Sequence, residues 1–340
     1  YKAEPRQLVS ASGCYYRDAG GNEILDGTAG LWCVNAGHSR DPIVAAICEQ
    51  AGRLDFAPTF QLGHPKAFEL AEVLSGIFPE GLNRFFFGGS GSEAVDSALK
   101  VAFAYHNASG HPERKRLVGR IRGYHGVGFG GISVGGLPNN NAGFPRLPNV
   151  SHLSATLDIQ KTAFTRGQPE WGVHLAEELL DIIAEHGAES IAAVIVEPLS
   201  GSAGVLVPPI GYLERLRQIT QEHGILLIFD EVITAFGRLG AATASQRFGV
   251  TPDLICTAKG LTNGAVPMGC VAVKQHIYDT VVNASPGGID FFHGYTYSGH
   301  PLAAAAAVAT IGVYQDEALF DRALALEAMF EDAVHSLADA

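Results

Sequence analysis

From residue 84 onwards, short continuous apolar runs alternate with amphipathic stretches that are long enough to form helices. Continuous runs of this kind are typical of strands that are buried on both faces of a parallel sheet. Their alternation with helical stretches predicts an α/β fold with a mostly parallel sheet between layers of helices. The runs are RFFF (84–87), RLVGRI (116–121), IAAVIV (191–196), ILLIF (225–229), DLIC (253–256) and CVAV (270–273).

Outside these runs the sequence predicts a β-hairpin, two helices and a loop. Residues 14–16 and 23–25 flank an Ala-Gly-Gly-Asn turn, which favours a hairpin. Apolar residues recur with helical spacing over 43–54 and again over 67–78. The stretch 137–149 is rich in Pro, Asn and Gly and predicts a loop.

Composition and charge narrow the class of protein. The 340 residues are 47% hydrophobic and 17% charged, which is enough for a sizeable core and excludes disorder as the main state. The length allows two or three domains, or one large α/β domain with an appendage. The formal net charge of −12, without any basic run, argues against nucleic acid and anionic membranes as partners. The charge-free stretch 301–314 is shorter than the roughly 20 residues of a membrane span and predicts a buried helix.

Cysteine and histidine usage indicates neither a disulfide framework nor a metal site. The five cysteines are scattered and lack a C-x-x-C pair, which favours a reducing compartment. The N-terminal residues lack the apolar region of a signal peptide, so we expect a cytoplasmic protein. Thirteen histidines occur without an H-E-x-x-H motif or a Cys/His cluster, so core or capping roles are expected for them.

Functional side chains follow five of the predicted strands at the point where each strand ends. In open α/β sheets ligands bind outside the carboxyl ends of the strands. The sequence therefore predicts one site at one edge of the sheet, before any family is considered. The residues delivered there are a glycine-rich turn after Phe87, Tyr124 after the second run, Glu197 after Val196, Asp230 after Phe229 and Lys259 after Cys256.

The glycine-rich turn GGSGSEA has two interpretations. It precedes a stretch with helical spacing, so Gly91 and Ser92 would lie at a helix N-terminus, where unpaired N–H groups attract a phosphate. The hydroxyls of Ser90 and Ser92 would add donors. The alternative is a serine that only caps the helix after a tight turn, with Glu93 in the first helical turn.

Three features of the predicted site together favour one cofactor. A carboxylate such as Asp230 at the end of a buried strand needs a partner, although alone it would more often be structural. Glu197 has the same ambiguity, and we give it a supporting role. Lysine is usually a solvated residue, but near a phosphate site Lys259 could lose its proton and attack a carbonyl group. A phosphate site, a buried acid and a reactive amine suit pyridoxal phosphate (PLP).

With these residues in place, the sequence resembles the class III, fold-type-I PLP-dependent aminotransferases, and among them most the ω-amino acid–pyruvate (β-alanine–pyruvate) group. The matching motifs follow the family's order across nearly the whole chain, which makes the resemblance specific. They are LDGTAGLWCVNAGH (25–38), QLGHP (61–65), FFFGGSGSEAVDSALK (85–100), GRIRGYHG (119–126), VIVEPLSGSAGVLVPPIGYL (194–213), LLIFDEVITAFGRLG (226–240), PDLICTAKGLTNGAVPMG (252–269) and HGYTYSGHP (293–301).

The resemblance implies a ping-pong transamination and a role for each matching residue. Lys259 would form a Schiff base with the cofactor and then move the proton, and Asp230 would keep the ring nitrogen protonated. Further implied cofactor-binding residues are Ser90, Gly91 and Ser92 at the phosphate, Tyr124 and Val232 on the two faces of the ring, His125 and Glu197 in support, and Thr296, which would reach the phosphate of a partner subunit in a homodimer or a dimer of dimers. The implied substrate pocket includes Trp32, Phe60, Tyr124 and Ser202.

The resemblance also implies a domain organisation. Residues 1–45 would start a small α+β domain, 46–298 would form the PLP-binding large domain, and 299–340 would begin the C-terminal part of the small domain. The family extends well beyond residue 340 and there carries an arginine for the substrate carboxylate. Ser202 stands where ornithine- and γ-aminobutyrate-specific relatives have a glutamate, which makes those two substrates less favoured than a pyruvate-linked ω-amino acid.

Other classes of protein are less consistent with the sequence. Residues 126–131 match the G-x-G-x-x-G pattern of NAD(P)-dependent oxidoreductases, but Tyr124 and His125 intervene after the strand, the following ISVGGLPNNN does not predict a helix, and no acid lies about 20 residues on. No Gly-Lys pair exists, which excludes a P-loop. A non-catalytic scaffold would have no need to retain Ser92, Asp230 and Lys259 together.

Overall fold

The computed structural model of the chain describes residues 5–285 and 287–339. In this part of the chain the strands form one three-stranded and one seven-stranded sheet. Tyr15–Asp18 and Glu23–Leu25 form the predicted hairpin, with Tyr15 opposite Leu25. The strands are β1 Leu8–Ser12, β2 Tyr15–Asp18, β3 Glu23–Leu25, β4 Leu82–Gly88, β5 Arg116–Arg120, β6 Val150–Leu153, β7 Ile191–Val196, β8 Leu226–Asp230, β9 Leu254–Thr257 and β10 Gly269–Lys274.

The seven-stranded sheet has the order β4-β10-β9-β8-β7-β5-β6 and is mostly parallel, as predicted. β10 runs antiparallel to both of its neighbours, β4 and β9, so β4 points in the same direction as the other strands. The carboxyl ends of β4, β5, β7, β8 and β9 therefore meet at one edge of the sheet. Each of the six apolar runs forms a strand. β1 and the half-exposed edge strand β6 were missed, because neither shows a continuous apolar run.

Helices pack on both faces of the large sheet. On one face α4 places Ala94 and Ala98 against Ile195 and Ile228. The other face packs against α3, α8, α9 and α12. The helices are α1 Ala29–Trp32, α2 Asp41–Arg53, α3 Pro65–Ile77, α4 Gly91–Ala108, α5 Phe129–Val134, α6 Pro138–Asn141, α7 Ile159–Thr162, α8 Glu178–His186, α9 Tyr212–Glu222, α10 Ala244–Phe248, α11 Gln275–Asn283, α12 Pro301–Asp316 and α13 Leu319–His335, with 3₁₀ turns at Val173–Glu177, Ala188–Ser190, Lys259–Thr262 and Ser336–Asp339.

The residue pattern explains why both faces of the sheet are covered. Consecutive side chains of a strand point to opposite faces, so a doubly covered strand is apolar at every position. In β8, Ile228 faces α4, whereas Leu227 and Phe229 face the opposite helical layer. Full burial of each such side chain stabilises the fold by about 1.5–3 kcal/mol.

Two local predictions were wrong. Residues 132–141, which follow the G-x-G-x-x-G match, begin in the helix Phe129–Val134, and the predicted loop 137–149 contains the short helix Pro138–Asn141. Both helices are short and rich in Gly or Asn, so neither has the apolar spacing that reveals a helix in a sequence. The oxidoreductase alternative gains nothing from this, because Tyr124 and His125 still separate the glycines from β5.

The Ala-rich stretch near residue 301 forms α12, which is buried as predicted. Ala303, Ala307, Ile311 and Tyr314 lie in the same core as the sheet residues, and the helix also packs against α2 and α3. None of the helices in residues 5–285 and 287–339 is long and apolar enough to cross a bilayer. The domain boundaries at residues 45/46 and 298/299 stay a prediction.

Candidate active site

Two neighbouring strands bring the predicted acid and the predicted amine to the same edge of the sheet. Asp230 is the last residue of β8 and pairs with Cys256 of β9. The backbone N–H of Glu231 donates to the Cys256 carbonyl at 2.8 Å, which fixes the relative position of the two strand ends. Lys259 follows Cys256 by three residues and opens a 3₁₀ turn. Residues that are 29 positions apart in the sequence thus leave adjacent strands side by side.

The Asp230 side chain is only 5% exposed and is held by two hydrogen bonds. His125 Nδ1 lies 2.8 Å from Oδ2, and the backbone N–H of Val232 donates to Oδ1 at 3.1 Å. An ionised carboxylate only accepts hydrogen bonds, so Nδ1 carries the hydrogen in this pair. His125 Nε2 is buried without a hydrogen-bond partner among the described residues. The acid is therefore desolvated, fixed in orientation and supported from one side.

Lys259 is a half-buried lysine whose amine is not committed to an ion pair. Its Nζ lies 5.4 Å from the centre of the Trp32 ring. Within the described ranges no carboxylate oxygen lies within 4 Å of it. Burial lowers the pKa of Lys259, while the nearby charge of Asp230 opposes that shift. Desolvation disfavours the ammonium form, so the neutral and nucleophilic amine is more accessible than in water.

Glu197 follows β7 and fixes the backbone on both sides of the site. Its Oε1 accepts the backbone N–H of Tyr124 and its Oε2 accepts that of Gly201, each at 3.0 Å. Burial raises the pKa of Glu197, and the negative charge of Asp230 adds to that shift. Arg120 donates to the Glu197 carbonyl at 2.6 Å. Glu197 therefore holds in place the loop that carries Tyr124 and His125, which fits the supporting role expected for it.

The glycine-rich turn contains both of the arrangements that its sequence allowed. Ser90 is the N-cap of α4, and its Oγ accepts the N–H of Glu93 at 3.2 Å. Ser92 Oγ instead accepts the N–H of Val127 at 3.1 Å. A Cβ atom placed on Gly126 would lie 2.4 Å from Ser92 Oγ, so this close approach requires glycine. The turn thus offers the free N–H groups of a helix N-terminus, and Ser92 also links it to the loop after Tyr124.

Val232 lies between the acid and the turn. A Cβ atom on Gly91 would approach Val232 Cγ1 to 2.9 Å, so the valine side chain lies directly against the turn. The backbone N–H of the same valine binds Asp230. A flat ring that reached from Asp230 to the turn would meet this side chain on one face.

Three predicted residues are not linked to Asp230 or Lys259 in the described part of the chain. Phe60 is 58% exposed and lies beside Gly294, Thr296 is exposed, and Ser202 is half-buried in the turn after Glu197. Their side chains make no hydrogen bond to Asp230 or Lys259 in the part of the chain that the structure describes. Their roles toward substrate or a partner subunit stay predictions.

The structure adds residues that the sequence analysis did not single out. Cys33 and Arg238 lie near Lys259, and the positive charge of Arg238 contributes to the lowered pKa of Lys259. The Arg238 guanidinium donates to Asn35 Oδ1, and burial lowers the pKa of Arg238. Both lie inside motifs quoted above, LWCVN and FGRLG, but a half-buried cysteine or arginine has no distinctive pattern in a sequence. Their position next to Lys259 comes from the fold alone.

The residues present fit PLP. Asp230 offers a buried acid for a pyridine nitrogen, Lys259 an uncommitted amine for an aldehyde, and the Gly91–Ser92 turn an anion site. The α/β fold and this set of groups define a PLP-dependent enzyme. Comparison with known proteins then gives the family: the profile described as "Aminotransferase class-III" matches residues 2–340, and the chain belongs to that family. It is therefore an aminotransferase, and the cofactor and fold predicted from the sequence are confirmed.

The similar proteins include named ω-aminotransferases. An omega-aminotransferase of Caulobacter vibrioides is 58% identical over 100% of this chain and 78% of the relative. A beta-alanine–pyruvate aminotransferase of Pseudomonas aeruginosa is 50% identical over 99% of this chain and 76% of the relative. The solved structure of an (S)-enantioselective omega-transaminase from Thermomicrobium roseum superposes with a TM-score of 0.89 at 41% identity, covering 94% and 71% of the two chains. An amine transaminase from an uncultivated Pseudomonas species, solved in its PLP-bound form, gives 0.89 at 40% identity over 96% and 74%.

Proposed function

We propose that this aminotransferase moves the amino group of an ω-amino acid such as β-alanine to pyruvate in two half-reactions. Amines and 2-oxo acids are the substrates of its family. The three relatives at 46–58% identity are named as ω-amino or β-alanine aminotransferases, and two of those names include pyruvate. The γ-aminobutyrate transaminases of rice are more distant, at 36%. The observation that carries the proposal is the placement of Asp230 and Lys259 at adjacent strand ends.

Lys259 is the residue that moves the proton. Pyridoxal phosphate, when bound, supplies an aldehyde for amines and a conjugated ring that delocalises negative charge. Lys259 Nζ would hold the cofactor in the resting enzyme and, once the donor amine has displaced it, would take the proton from the donor carbon that carries the amine. It returns a proton when pyruvate accepts the amino group. Because burial lowers its pKa, the neutral amine that takes the proton is easier to form than for a lysine in water.

Asp230 and the glycine-rich turn would hold opposite ends of the cofactor. Asp230, oriented by His125 and Val232, would pair with the ring nitrogen and keep it protonated. Gly91 and Ser92 would bind the phosphate, with Ser90 adding its O–H while its oxygen caps α4. Tyr124 and Val232 would cover the two faces of the ring. Because these groups are fixed before substrate arrives, they stabilise developing charge without reorganisation.

The substrate side of the site is formed by aromatic residues. Trp32 lies over Lys259 Nζ and would form the wall against which the donor packs. Phe60 and Ser202 would contact the distal part of the donor. A serine at 202 offers no carboxylate to an arginine, which favours pyruvate-linked ω-amino acids over ornithine or γ-aminobutyrate.

A coupled assay tests the substrate proposal. Donors β-alanine, γ-aminobutyrate, ornithine and 1-phenylethylamine are each paired with pyruvate and with 2-oxoglutarate. We expect β-alanine with pyruvate to give a higher kcat/KM than any pairing with 2-oxoglutarate. Turnover with 2-oxoglutarate only would show that the subfamily assignment is wrong, while leaving the aminotransferase class intact.

We further propose a cytoplasmic homodimer with shared sites and the domain organisation predicted from the sequence. The five free cysteines fit a reducing compartment. Thr296 is exposed, beside the exposed Tyr297, and is free to reach the phosphate in a second copy. Mixing Lys259→Ala with Thr296→Ala protein tests this, because a shared site regenerates one intact site per mixed dimer. Activity no higher than that of the separate variants would contradict the shared site.

A further inference from the structure

An apolar cavity of about 220 Å³ lies away from the candidate active site, between one end of the large sheet and two helices. Phe86 of β4 contributes the sheet side. Val101 and Ala104 of α4 and Val281 of α11 contribute the helical sides. The lining is almost entirely apolar, and none of these residues has a role in the proposed mechanism.

The positively charged side chain of Arg84 lies at the rim of this cavity. Arg84 is exposed, and its guanidinium lies 5.1 Å from the centre of the Tyr278 ring, which also lines the cavity. Over the described ranges Arg84 makes no salt bridge with a carboxylate. Asp279, the neighbour of Tyr278 in the chain, is engaged by Gln275 Nε2 at 2.7 Å. The guanidinium is therefore held by an aromatic face and keeps its hydrogen-bond donors free for an anion.

We propose that this cavity binds a small monocarboxylate whose apolar body is about the size of one aromatic ring. An apolar cavity of about 150 Å³ in another protein takes up benzene, so the volume here accommodates a ring with a short linker. The apolar body is buried between α4 and α11, and its carboxylate reaches Arg84 at the rim. Guanidinium and carboxylate form paired, charge-assisted hydrogen bonds, which gives the site its preference for an anionic head group.

The proposed binding site is separate from the catalytic one. Arg84 pairs with Val273 and precedes Gly88 by four residues on β4. At about 3.3 Å per residue this places Arg84 roughly 13 Å along the strand from the glycine-rich turn. A ligand in the cavity and a substrate near Lys259 can therefore be bound at the same time.

The test uses the PLP-loaded enzyme and 3-phenylpropanoate, which has neither an amine nor a ketone and cannot be transaminated. Isothermal titration calorimetry measures its binding at saturating pyruvate, with neutral 3-phenylpropanamide as the matched probe. We expect the carboxylate to bind about tenfold more tightly than the amide, the ratio that one charge-assisted hydrogen bond supplies. Absence of saturable binding by the wild-type holoenzyme would overturn the proposal.

Substitutions at the rim and in the lining of the cavity locate the binding. Arg84→Gln should abolish the preference for the carboxylate, whereas Arg84→Lys should retain most of it. Ala104→Leu fills the cavity from α4 and should abolish binding of both probes. Val281→Phe fills it from α11 and replaces Ala104→Leu if that variant does not fold. Neither substitution at residue 84 should alter β-alanine–pyruvate turnover, so this test can fail while the proposed transamination stands. Unchanged binding in the filled variant would place the probe elsewhere and refute the site.

Discussion

His125, in the loop after β5, and Asp230, at the end of β8, lie 2.8 Å apart and are both almost completely buried, although β5 and β8 are not neighbours in the sheet. A buried carboxylate is stable only with partners, and this histidine supplies one of two. The pair leaves the remaining lone pairs of Asp230 for a donor on the open side of the site. In the proposed mechanism that donor is the protonated ring nitrogen of the cofactor.

The proposed role of Asp230 predicts that its substitution lowers kcat much more than it lowers the affinity for PLP. Asp230→Ala should retain part of its affinity for PLP, because Lys259 and the glycine-rich turn remain, but kcat should fall about 10²–10⁴-fold as the charge in the ring loses its stabilising partner. Steady-state kinetics at saturating PLP measures this. Asp181→Asn, on the exposed surface of α8, is the control and should behave as wild type. Near-normal turnover of Asp230→Ala would refute the role.

Lys259→Ala should abolish turnover and the visible absorption band of lysine-bound cofactor, since both depend on Nζ. Lys115→Ala removes an exposed lysine and serves as the control. Absorption spectra before and after addition of β-alanine distinguish the two. A Lys259→Ala variant that kept the resting spectrum would show that another amine holds the cofactor.

The two serines of the glycine-rich turn should respond differently to substitution. Ser90→Ala removes the N-cap of α4 and should lower the free energy of unfolding by about 1 kcal/mol. Ser92→Ala should mainly weaken PLP binding, by about tenfold, with kcat at saturating PLP little changed. Urea unfolding and PLP titration measure the two effects. The assignment of the phosphate to Ser92 fails if its substitution leaves PLP affinity unchanged.

Glu231 predicts a pH dependence of stability. Burial raises the pKa of this fully buried carboxyl from 4.5 to about 7, although it accepts the N–H groups of Ala244 and Ser245. Between these two pH values the folded state binds more protons at this group than the unfolded state, so the group's contribution to stability falls as pH rises. The full loss is about 3 kcal/mol, at roughly 1.4 kcal/mol per pKa unit.

Glu231→Gln should weaken the pH dependence of the free energy of unfolding over this range. The free energy of unfolding, measured with urea from pH 4.5 to 8, should decline more steeply for wild type than for the variant. Glu214→Gln, an exposed position on α9, should follow the wild-type curve. Parallel curves for wild type and Glu231→Gln would contradict the raised pKa.

Much of the fold was predictable because the strands of the sheet are apolar without interruption. IAAVIV and ILLIF could be assigned to the sheet since both of their faces are buried, and Asp230 and Lys259 stood out as charges at strand ends. The edge strand β6 was not predictable, because half of its surface is open and its residues alternate weakly. β10 carries the same apolar pattern as the strands that run in the opposite direction, so its reversed direction could not be inferred from the run alone.

The sequence could propose Asp230, Lys259 and the glycine-rich turn as candidate site residues, but it could not predict their contacts. That Ser90 caps α4 while Ser92 binds Val127 depends on the path of a loop that lies far along the chain. The proximity of Arg238 and Cys33 to Lys259 likewise arises from tertiary packing, because neither residue type marks a strand end or a turn. The spacing of residues along a sequence does not reveal such pairs.

Two hydrogen bonds link the residues just after Trp32 to the loop that follows Lys259. Ala36 N–H donates to Asn263 Oδ1 at 2.9 Å, and Asn263 Nδ2 donates to the Gly37 carbonyl at 2.8 Å. These two bonds join positions more than two hundred residues apart. A nascent polypeptide therefore cannot complete this part of the candidate active site until synthesis has passed Asn263, although Trp32 is synthesised more than two hundred residues earlier.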